Sequence, residues 1–173
     1  MFSPPKMTHT LRACALLIGY PDASLRGLQP DMRLALHDEA ALSASRLAEL
    51  DALIDTLQQQ PALDGEAAYV ELFDRGRSTS LHLFEHVHGD SRDRGPAMID
   101  LAQTYEKAGL FLSAGELPDY LPVVLEFAST QPPKEARAFL AEMAHIMNAL
   151  FTALVKRESR YASVVGALIE LAG

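Results

Sequence analysis

Residues 139–154 read FLAEMAHIMNALFTAL, and the spacing of the apolar residues in this stretch decides the fold class. Apolar side chains recur three or four positions apart, which is the period of a helix with one buried face. The stretch therefore predicts a long amphipathic helix that begins at Pro132 and Pro133. Its predicted buried face consists of Phe139, Met143, Ile146, Met147, Leu150 and Leu154.

The same spacing runs through most of the chain, and no segment alternates between apolar and polar residues as a half-buried strand does. We therefore predict an all-α fold, a single-domain helical bundle that comprises residues 1–173. The first helix is expected from about Thr10 to Gly19. The second is expected to begin after Ser24 and to have a break at or near Pro30.

Glycine and proline residues mark the ends of the helices predicted for the rest of the chain. The third helix ends before Pro61, and the fourth runs from near Asp64 to Gly76. A polar turn at residues 78–80 is expected to cap a further helix from Leu81 to His88. The next helix carries Met98, Leu101 and Tyr105 and ends at Gly109. Asp119 is expected to be the N-cap of a further helix with Pro122 at its third position. The last predicted helix runs through Tyr161, Val164, Leu168 and Ile169.

The composition indicates a globular protein and excludes several classes of function. Of the 173 residues, 49% are hydrophobic, and no apolar run reaches the roughly 18 residues that a membrane-spanning helix requires. The net charge of −8 opposes nucleic-acid binding. It would suit a cationic partner, but a charge that only keeps the protein soluble is the favoured interpretation. The single cysteine, Cys14, excludes an intramolecular disulfide, and we expect a cytoplasmic protein.

One cluster of possible metal ligands consists of His82, His86, His88 and Asp90. His82 and His86 are one turn apart on the predicted helix and could share a metal ion. However, His88 falls on a different face, Gly89 ends the helix, and no cysteine completes a familiar ligand set. We therefore predict no metal site and interpret the histidines as helix-end residues that bind backbone carbonyl groups.

Four arginines flank the same predicted helix and could bind an anion, such as the phosphate of a pterin cofactor. They are Arg75, Arg77, Arg92 and Arg94. The acidic residues interleaved with them are Asp74, Glu85, Asp90 and Asp93. Ion pairing within the protein is therefore the favoured interpretation of these arginines.

Glu116, Asp119 and Glu126 could form an acid–base group, but the start of a helix explains the first two. Asp119 is expected to be the cap, and Glu116 is expected to lie beside the positive end of the helix dipole. The chain has no GxSxG motif, glycine-rich phosphate loop or CxxC pair, so it is not expected to be an enzyme. Helical domains of this kind commonly bind an amphipathic helix in a groove.

Two dense polar segments carry a resemblance to a known family. The first, YVELFDRGRSTSLHLFEHVHGDSRDRG, spans residues 69–95, and the second, ELPDYLPVVLEFA, spans residues 116–128. Together with LLIGYPDAS at residues 16–24 and KRESRYA at residues 156–162, they make most of the chain resemble the NarJ family. NarJ proteins belong to the TorD-like group of molybdoenzyme chaperones.

The resemblance implies a helical fold of the TorD/NarJ-like type and a chaperone that assembles respiratory nitrate reductase. Members of the family bind the N-terminal segment of the catalytic (alpha) subunit, within the alpha–beta complex. They hold it until molybdenum cofactor has been inserted and the complex docks at the membrane. The resemblance therefore implies assistance in cofactor insertion with no stably bound cofactor, and contact with the membrane only through the client.

From the signature positions that the resemblance gives, we also predict which residues contact the client peptide. We expect the peptide to fold as an amphipathic helix whose apolar face lies in a groove, while acidic residues at the rim steer its basic residues. Relatives often have histidine where this chain has Tyr120, so no pH switch is implied at that position. The candidate contacts are Tyr69, Phe73, Asp74, Arg75, Arg77, His86, Glu116, Asp119, Tyr120, Leu121 and Val124, with the groove near Tyr69, Phe73, Leu121 and Val124. The other signature positions are Ser80, Gly89, Asp90, Arg92, Arg94, Pro118, Pro122 and Glu126.

Two alternative functions are left open at this point. A cofactor-handling protein would bind molybdopterin directly through the four arginines, and Arg77→Glu would then abolish cofactor retention without affecting peptide binding. A structural subunit of the reductase would instead copurify with the mature membrane enzyme.

Overall fold

The computed structural model describes residues 3–89 and 91–173 as a bundle of α-helices. Within those residues the only β-type pairing is an isolated bridge between His82 and Tyr120, so the predicted all-α class is confirmed. The helices are α1 (Thr8–Leu17), α2 (Ala23–Glu39), α3 (Ala44–Gln59), α4 (Ala62–Tyr69), α5 (Arg94–Lys107), α6 (Leu121–Ser129), α7 (Pro133–Glu142), α8 (Ala144–Lys156) and α9 (Ala162–Ala172).

Helix α9 lies at the centre of the bundle because it is apolar on nearly every side. Residues 162–168 are all buried, and so are Leu171 and Ala172. A helix without a polar face has to be surrounded by other helices, and α9 contacts α1, α3, α7 and α8. Helix α1 in turn packs against α2 and α6. This packing places α6, which carries the second signature segment, directly beside α1.

Helix α1 presents an apolar face to the core and is fixed at its first turn by α2. Leu11, Cys14 and Ile18 are completely buried. Burial raises the pKa of the Cys14 thiol to about 12, so this thiol stays protonated at neutral pH. The carboxylate of Glu39, at the end of α2, accepts hydrogen bonds from the backbone N–H groups of residues 9 and 10 at 3.1 and 2.7 Å. These bonds satisfy donors that have no partner within α1.

Pro30 does not break the second helix, so that prediction is wrong. Helix α2 continues through this residue. Pro30 has no N–H to donate to the carbonyl oxygen of Arg26, one turn earlier. That oxygen instead accepts a hydrogen bond of 3.0 Å from the side-chain amide of Gln58 on α3. The replacement donor comes from a neighbouring helix, which the local sequence pattern cannot show.

The long helix predicted from Pro133 to Leu154 is in fact two helices, α7 and α8, which meet at an angle of 66°. Met143 lies at the break, and its carbonyl oxygen accepts the first hydrogen bonds of α8 from the N–H groups of Ile146 and Met147 at 3.1 and 3.0 Å. The bend allows the apolar faces of both helices to contact α9. No single helix in the described part of the chain is long and apolar enough to cross a membrane, and the bent pair α7 and α8 meets that requirement only when taken together.

Candidate functional site

The two signature segments lie side by side and are joined by backbone hydrogen bonds. The N–H of Leu83 donates to the carbonyl oxygen of Asp119 at 3.1 Å, and the N–H of Leu121 donates to that of Leu81 at 2.9 Å. Between these bonds, His82 and Tyr120 form the isolated bridge, and their rings lie 5.0 Å apart. The segments are therefore one structural unit although the sequence places helix α5 between them.

This pairing explains why the helix predicted from Leu81 to His88 does not form. Residues 81 and 82 are extended because this part of the chain pairs with residues 119–121. Only a short 3-10 turn, Leu83–His86, follows. Residues 78–80 consequently cap no α-helix, although the hydroxyl of Ser80 accepts a hydrogen bond from the N–H of His82 at 3.1 Å. A contact between residues distant in sequence has overridden the local helical pattern.

Asp119 is buried and is not the N-cap of α6, as the sequence had predicted. The cap position is Tyr120, the helix begins at Leu121, and Pro122 occupies its second position rather than its third. One carboxylate oxygen of Asp119 accepts a hydrogen bond of 3.0 Å from the N–H of Phe84. Asp119 therefore fixes the position of the first signature segment instead of the start of the helix.

The histidines of the first segment contact different groups. The Nε2 atom of His86 lies 2.8 Å from the carbonyl oxygen of Ser80, while the rings of His82 and His88 pack against Tyr120 and Phe84. Because residues 81–88 do not form an α-helix, His82 and His86 do not have the one-turn spacing that would have let them share a metal. Across residues 3–89 and 91–173 no three metal-ligating side chains lie together, and Asp90 lies outside the described residues.

Tyr69 and Phe73 belong to an aromatic cluster in the core. Helix α4 ends at Tyr69 and continues as a π-helical turn, Val70–Asp74, which ends before Gly76 as predicted. The Tyr69 ring lies 4.7 Å from that of Phe73 and 5.8 Å from that of Tyr161, and its hydroxyl donates to the carbonyl oxygen of Ile18 at 2.7 Å. Burial raises the pKa of Tyr69, and the nearby Tyr120 phenol raises it further.

The four apolar residues expected near the groove are thus core residues in this structure. The exposed fraction of Tyr69, Phe73, Leu121 and Val124 is between 0% and 5%. A peptide on the surface would meet the neighbours of these side chains before it met the side chains themselves. These residues support the shape of the surface above them.

Two arginines of the first signature segment, Arg75 and Arg94, lie close to carboxylates. Arg75 lies 3.5 Å from Glu71 on the exposed π-helical turn, and Arg94 lies 3.8 Å from Glu85. The pair between Arg94 and Glu85 is one that the ion-pairing interpretation anticipated, whereas Arg75 pairs with Glu71 and not with Asp74. Asp74 and Arg77 are exposed on either side of Gly76.

A largely apolar cavity of about 420 Å³ opens between α1, α6 and the loop that precedes α6. Its charged residues are Arg12, Glu116 and Glu126. Its apolar wall includes Leu16, Tyr105, Leu110, Phe111, Val123 and Phe127. Sequence reasoning identified Glu116 and Glu126 but missed the apolar wall. The signal that could have revealed part of it is the apolar triplet at residues 110–112, which stands in a predicted loop between Gly109 and Gly115.

The two glutamates outnumber the one arginine, Arg12, so the residues that line this cavity carry a net negative charge. Partial burial raises the pKa of Glu126, and the negative charge of Glu116 raises it further. A nearby cation would lower the pKa of a carboxyl group in such a position and so oppose both effects. Apolar side chains beside two carboxylates form a surface that suits an amphipathic helix with basic residues. The hydroxyl groups of Ser129 and Thr130, which also line the cavity, each donate to a backbone carbonyl oxygen of α6.

Comparisons with known proteins identify the family of the chain. A family model described as nitrate reductase delta subunit matches residues 39–165. The chain is 46% identical over 156 residues to the nitrate reductase molybdenum cofactor assembly chaperone NarJ of Escherichia coli (strain K12). The aligned region covers 90% of this chain and 66% of that protein. It is 42% identical over 163 residues to a protein of the same organism named as the probable nitrate reductase molybdenum cofactor assembly chaperone NarW, covering 94% of this chain and 68% of that one.

A solved structure shares the fold. The crystal structure of a protein from Archaeoglobus fulgidus, described as a redox enzyme maturation protein, superposes with a TM-score of 0.66 and covers 98% of this chain and 96% of its own. At 21% sequence identity, this likeness shows the helical fold alone. The chain spans about two thirds of the length of the Escherichia coli relative NarJ.

Proposed function

The chain belongs to the nitrate reductase delta subunit family, and from this membership we propose that it is a system-specific assembly chaperone and not an enzyme. Its client is the catalytic subunit of a respiratory nitrate reductase, in the alpha–beta complex. It binds the N-terminal segment of that subunit and holds it while molybdenum cofactor is inserted. The chaperone names of the relatives NarJ and NarW support this role.

The observation that carries the proposal is the cavity between α1 and α6. Its apolar wall can receive the apolar face of a client helix, and Glu116 and Glu126 can pair with basic side chains on the flank of that helix. Among the predicted client contacts, Glu116 lies in the cavity wall, while Leu121 and Val124 support α6 from the core. The groove we propose therefore lies over α6, with Val123 in its wall and Val124 beneath it.

Besides the buried Tyr69 and Phe73, the first signature segment carries the predicted contacts Asp74, Arg75, Arg77 and His86. Because that segment is hydrogen-bonded to residues 119–121, a change in its position would also move the start of α6. We propose that Asp119 and Tyr120 act in binding by holding these two segments together. A direct cofactor-handling role has less support, because Arg75 and Arg94 each have a carboxylate neighbour within 4 Å.

The expected affinity is moderate. The peptide has to become ordered when it binds, which costs about 2–5 kcal/mol of the gross interaction energy. A chaperone that releases its client after cofactor insertion needs this reversibility. The cavity holds only a short apolar stretch, which agrees with a complex that dissociates.

Isothermal titration calorimetry with a synthetic peptide tests the proposal. The peptide is the N-terminal segment of the nitrate reductase catalytic subunit encoded in the same genome. We expect saturable binding with a negative heat-capacity change, because apolar surface becomes buried. Val123→Glu should abolish binding, whereas Leu63→Glu, a change at an exposed leucine on α4, should leave it intact.

Two results would contradict the proposal at different levels. If the native protein shows no saturable binding over a range of pH and salt, the client or the function is different. If Val123→Glu is folded and binds the peptide as the native protein does, the function stands but the groove lies elsewhere.

A further inference from the structure

The loop that precedes α6 exposes an aromatic ring at the mouth of the cavity. The side chain of Phe111 is 76% exposed although it lines the apolar wall. Its two neighbours, Leu110 and Leu112, are half-buried, pack against the core and also line the cavity. Aromatic rings contribute large contact areas when they become buried in an interface. A partner in the cavity would offer the Phe111 ring a surface that the free protein lacks.

Two glycines with left-handed backbones flank the exposed part of the loop. The φ angles of Gly109 and Gly115 are +84° and +83°. A Cβ atom added at either position would meet no other atom within 4 Å. Packing therefore does not require glycine at these sites, whereas the backbone conformation does. Such positions can also absorb changes of φ and ψ when a loop moves.

Glu116 connects this loop to the charge of the cavity. Its carboxylate accepts a hydrogen bond of 2.6 Å from the N–H of Ser113, which closes the turn before α6. The same carboxylate lines the cavity and faces the charge of Glu126. A basic client side chain that approaches the two glutamates would thus also act on the hydrogen bond that holds the loop.

We propose that residues 110–116 form a strap that folds over the bound client segment and places Phe111 on its apolar face. The inference rests on the proposed chaperone function and adds to it the way in which the client is retained. The client it fits is an amphipathic helix with a continuous apolar face and a basic residue beside it. Closure of the strap covers the open side of the cavity and slows dissociation of the client.

A tryptophan at position 111 would report closure, because the chain has no tryptophan of its own. In Phe111→Trp, we expect the client peptide to shift the fluorescence emission to shorter wavelength and to protect the indole from quenching by acrylamide. Leu63→Trp is the matched control, because Leu63 is 79% exposed and lies on α4, outside the cavity wall. Its emission should not respond to the peptide.

Truncation of the same side chain provides a second, independent readout. Phe111→Ala should weaken peptide affinity about tenfold, mainly through faster dissociation, as is typical for the loss of an aromatic interface anchor. Leu63→Ala should leave affinity and rates unchanged.

The outcomes separate the strap from the chaperone function. If the peptide binds in calorimetry but leaves the emission and quenching of Phe111→Trp unchanged, the strap is rejected and the chaperone function stands. Native affinity in Phe111→Ala would have the same meaning. If the native protein does not bind the peptide at all, both proposals are rejected.

Discussion

Glu126 connects the chemistry of a single residue to the strength of client binding. Its carboxyl group is partly buried beside Glu116, and both features raise its pKa above the ordinary value of 4.5. The stability that this group contributes is fully present below the ordinary pKa and is lost as pH rises through the raised pKa, where the unfavourable negative charge appears. A cation in the cavity would favour the charged form. The same ionisation that weakens the free protein therefore strengthens a complex with a basic client.

We predict that the affinity for a basic client peptide increases as pH rises through the raised pKa of Glu126. Calorimetric titrations over a series of pH values above 4.5 would measure this increase. Glu126→Gln should flatten the dependence, whereas Glu135→Gln, at an exposed site on α7, should preserve it. A dependence that is equally steep in Glu126→Gln would assign the titration to another group.

Asp119 shows which property of a residue the sequence could predict. The residue types around it correctly indicated the start of a helix, since α6 begins two residues later. The role of its carboxylate could not be predicted, because its hydrogen-bond donor, the N–H of Phe84, is distant in sequence. Local chemistry locates a helix end, but only the fold determines which of several nearby donors an acceptor binds.

At the scale of secondary structure, the interaction between Pro30 and Gln58 supports a prediction by double-mutant cycle. Gln58→Ala should destabilise the protein by about 1 kcal/mol or more, because it removes the donor of the Arg26 carbonyl oxygen and a hydrogen bond to the side chain of Gln29. In a Pro30→Ala background the cost should be smaller, since the alanine at position 30 can donate its own backbone N–H to that oxygen. Denaturant unfolding of the four proteins would measure the coupling. Equal costs in both backgrounds would show that the side-chain amide does not replace the missing backbone bond.

The helices that were predicted correctly are specified by their local sequence, whereas the elements that were predicted wrongly depend on contacts with distant residues. Helices α1, α3, α5 and α9 have their own apolar faces and local end signals, and they lie close to the predicted positions. The bend at Met143 depends on contacts with α9, and the extended residues 81 and 82 depend on contacts with residues 119–121. The periodicity of apolar residues predicts which face of a segment is buried. It does not predict whether one neighbouring element or two will cover that face.

At the scale of the whole molecule, the acidic charge and the local carboxylates of the cavity should affect different rate constants. The net charge of −8 attracts a basic peptide from a distance, while in the proposed complex Glu116 and Glu126 contact it after binding. Between about 0.01 M and about 0.15 M salt the Debye length falls from about 30 Å to about 8 Å, so association should slow severalfold while dissociation changes little.

Two double variants with the same net charge would separate the general field of the protein from the local pairing. Glu116→Gln with Glu126→Gln removes two charges inside the cavity, and Asp31→Asn with Asp38→Asn removes two exposed charges on α2. Both should reduce the salt dependence of association measured by stopped-flow mixing, because both weaken the overall field. Only the cavity variant should also speed dissociation, since only it removes contacts made in the complex. Faster dissociation in the α2 variant, with no change in the cavity variant, would place the client on the other side of α1.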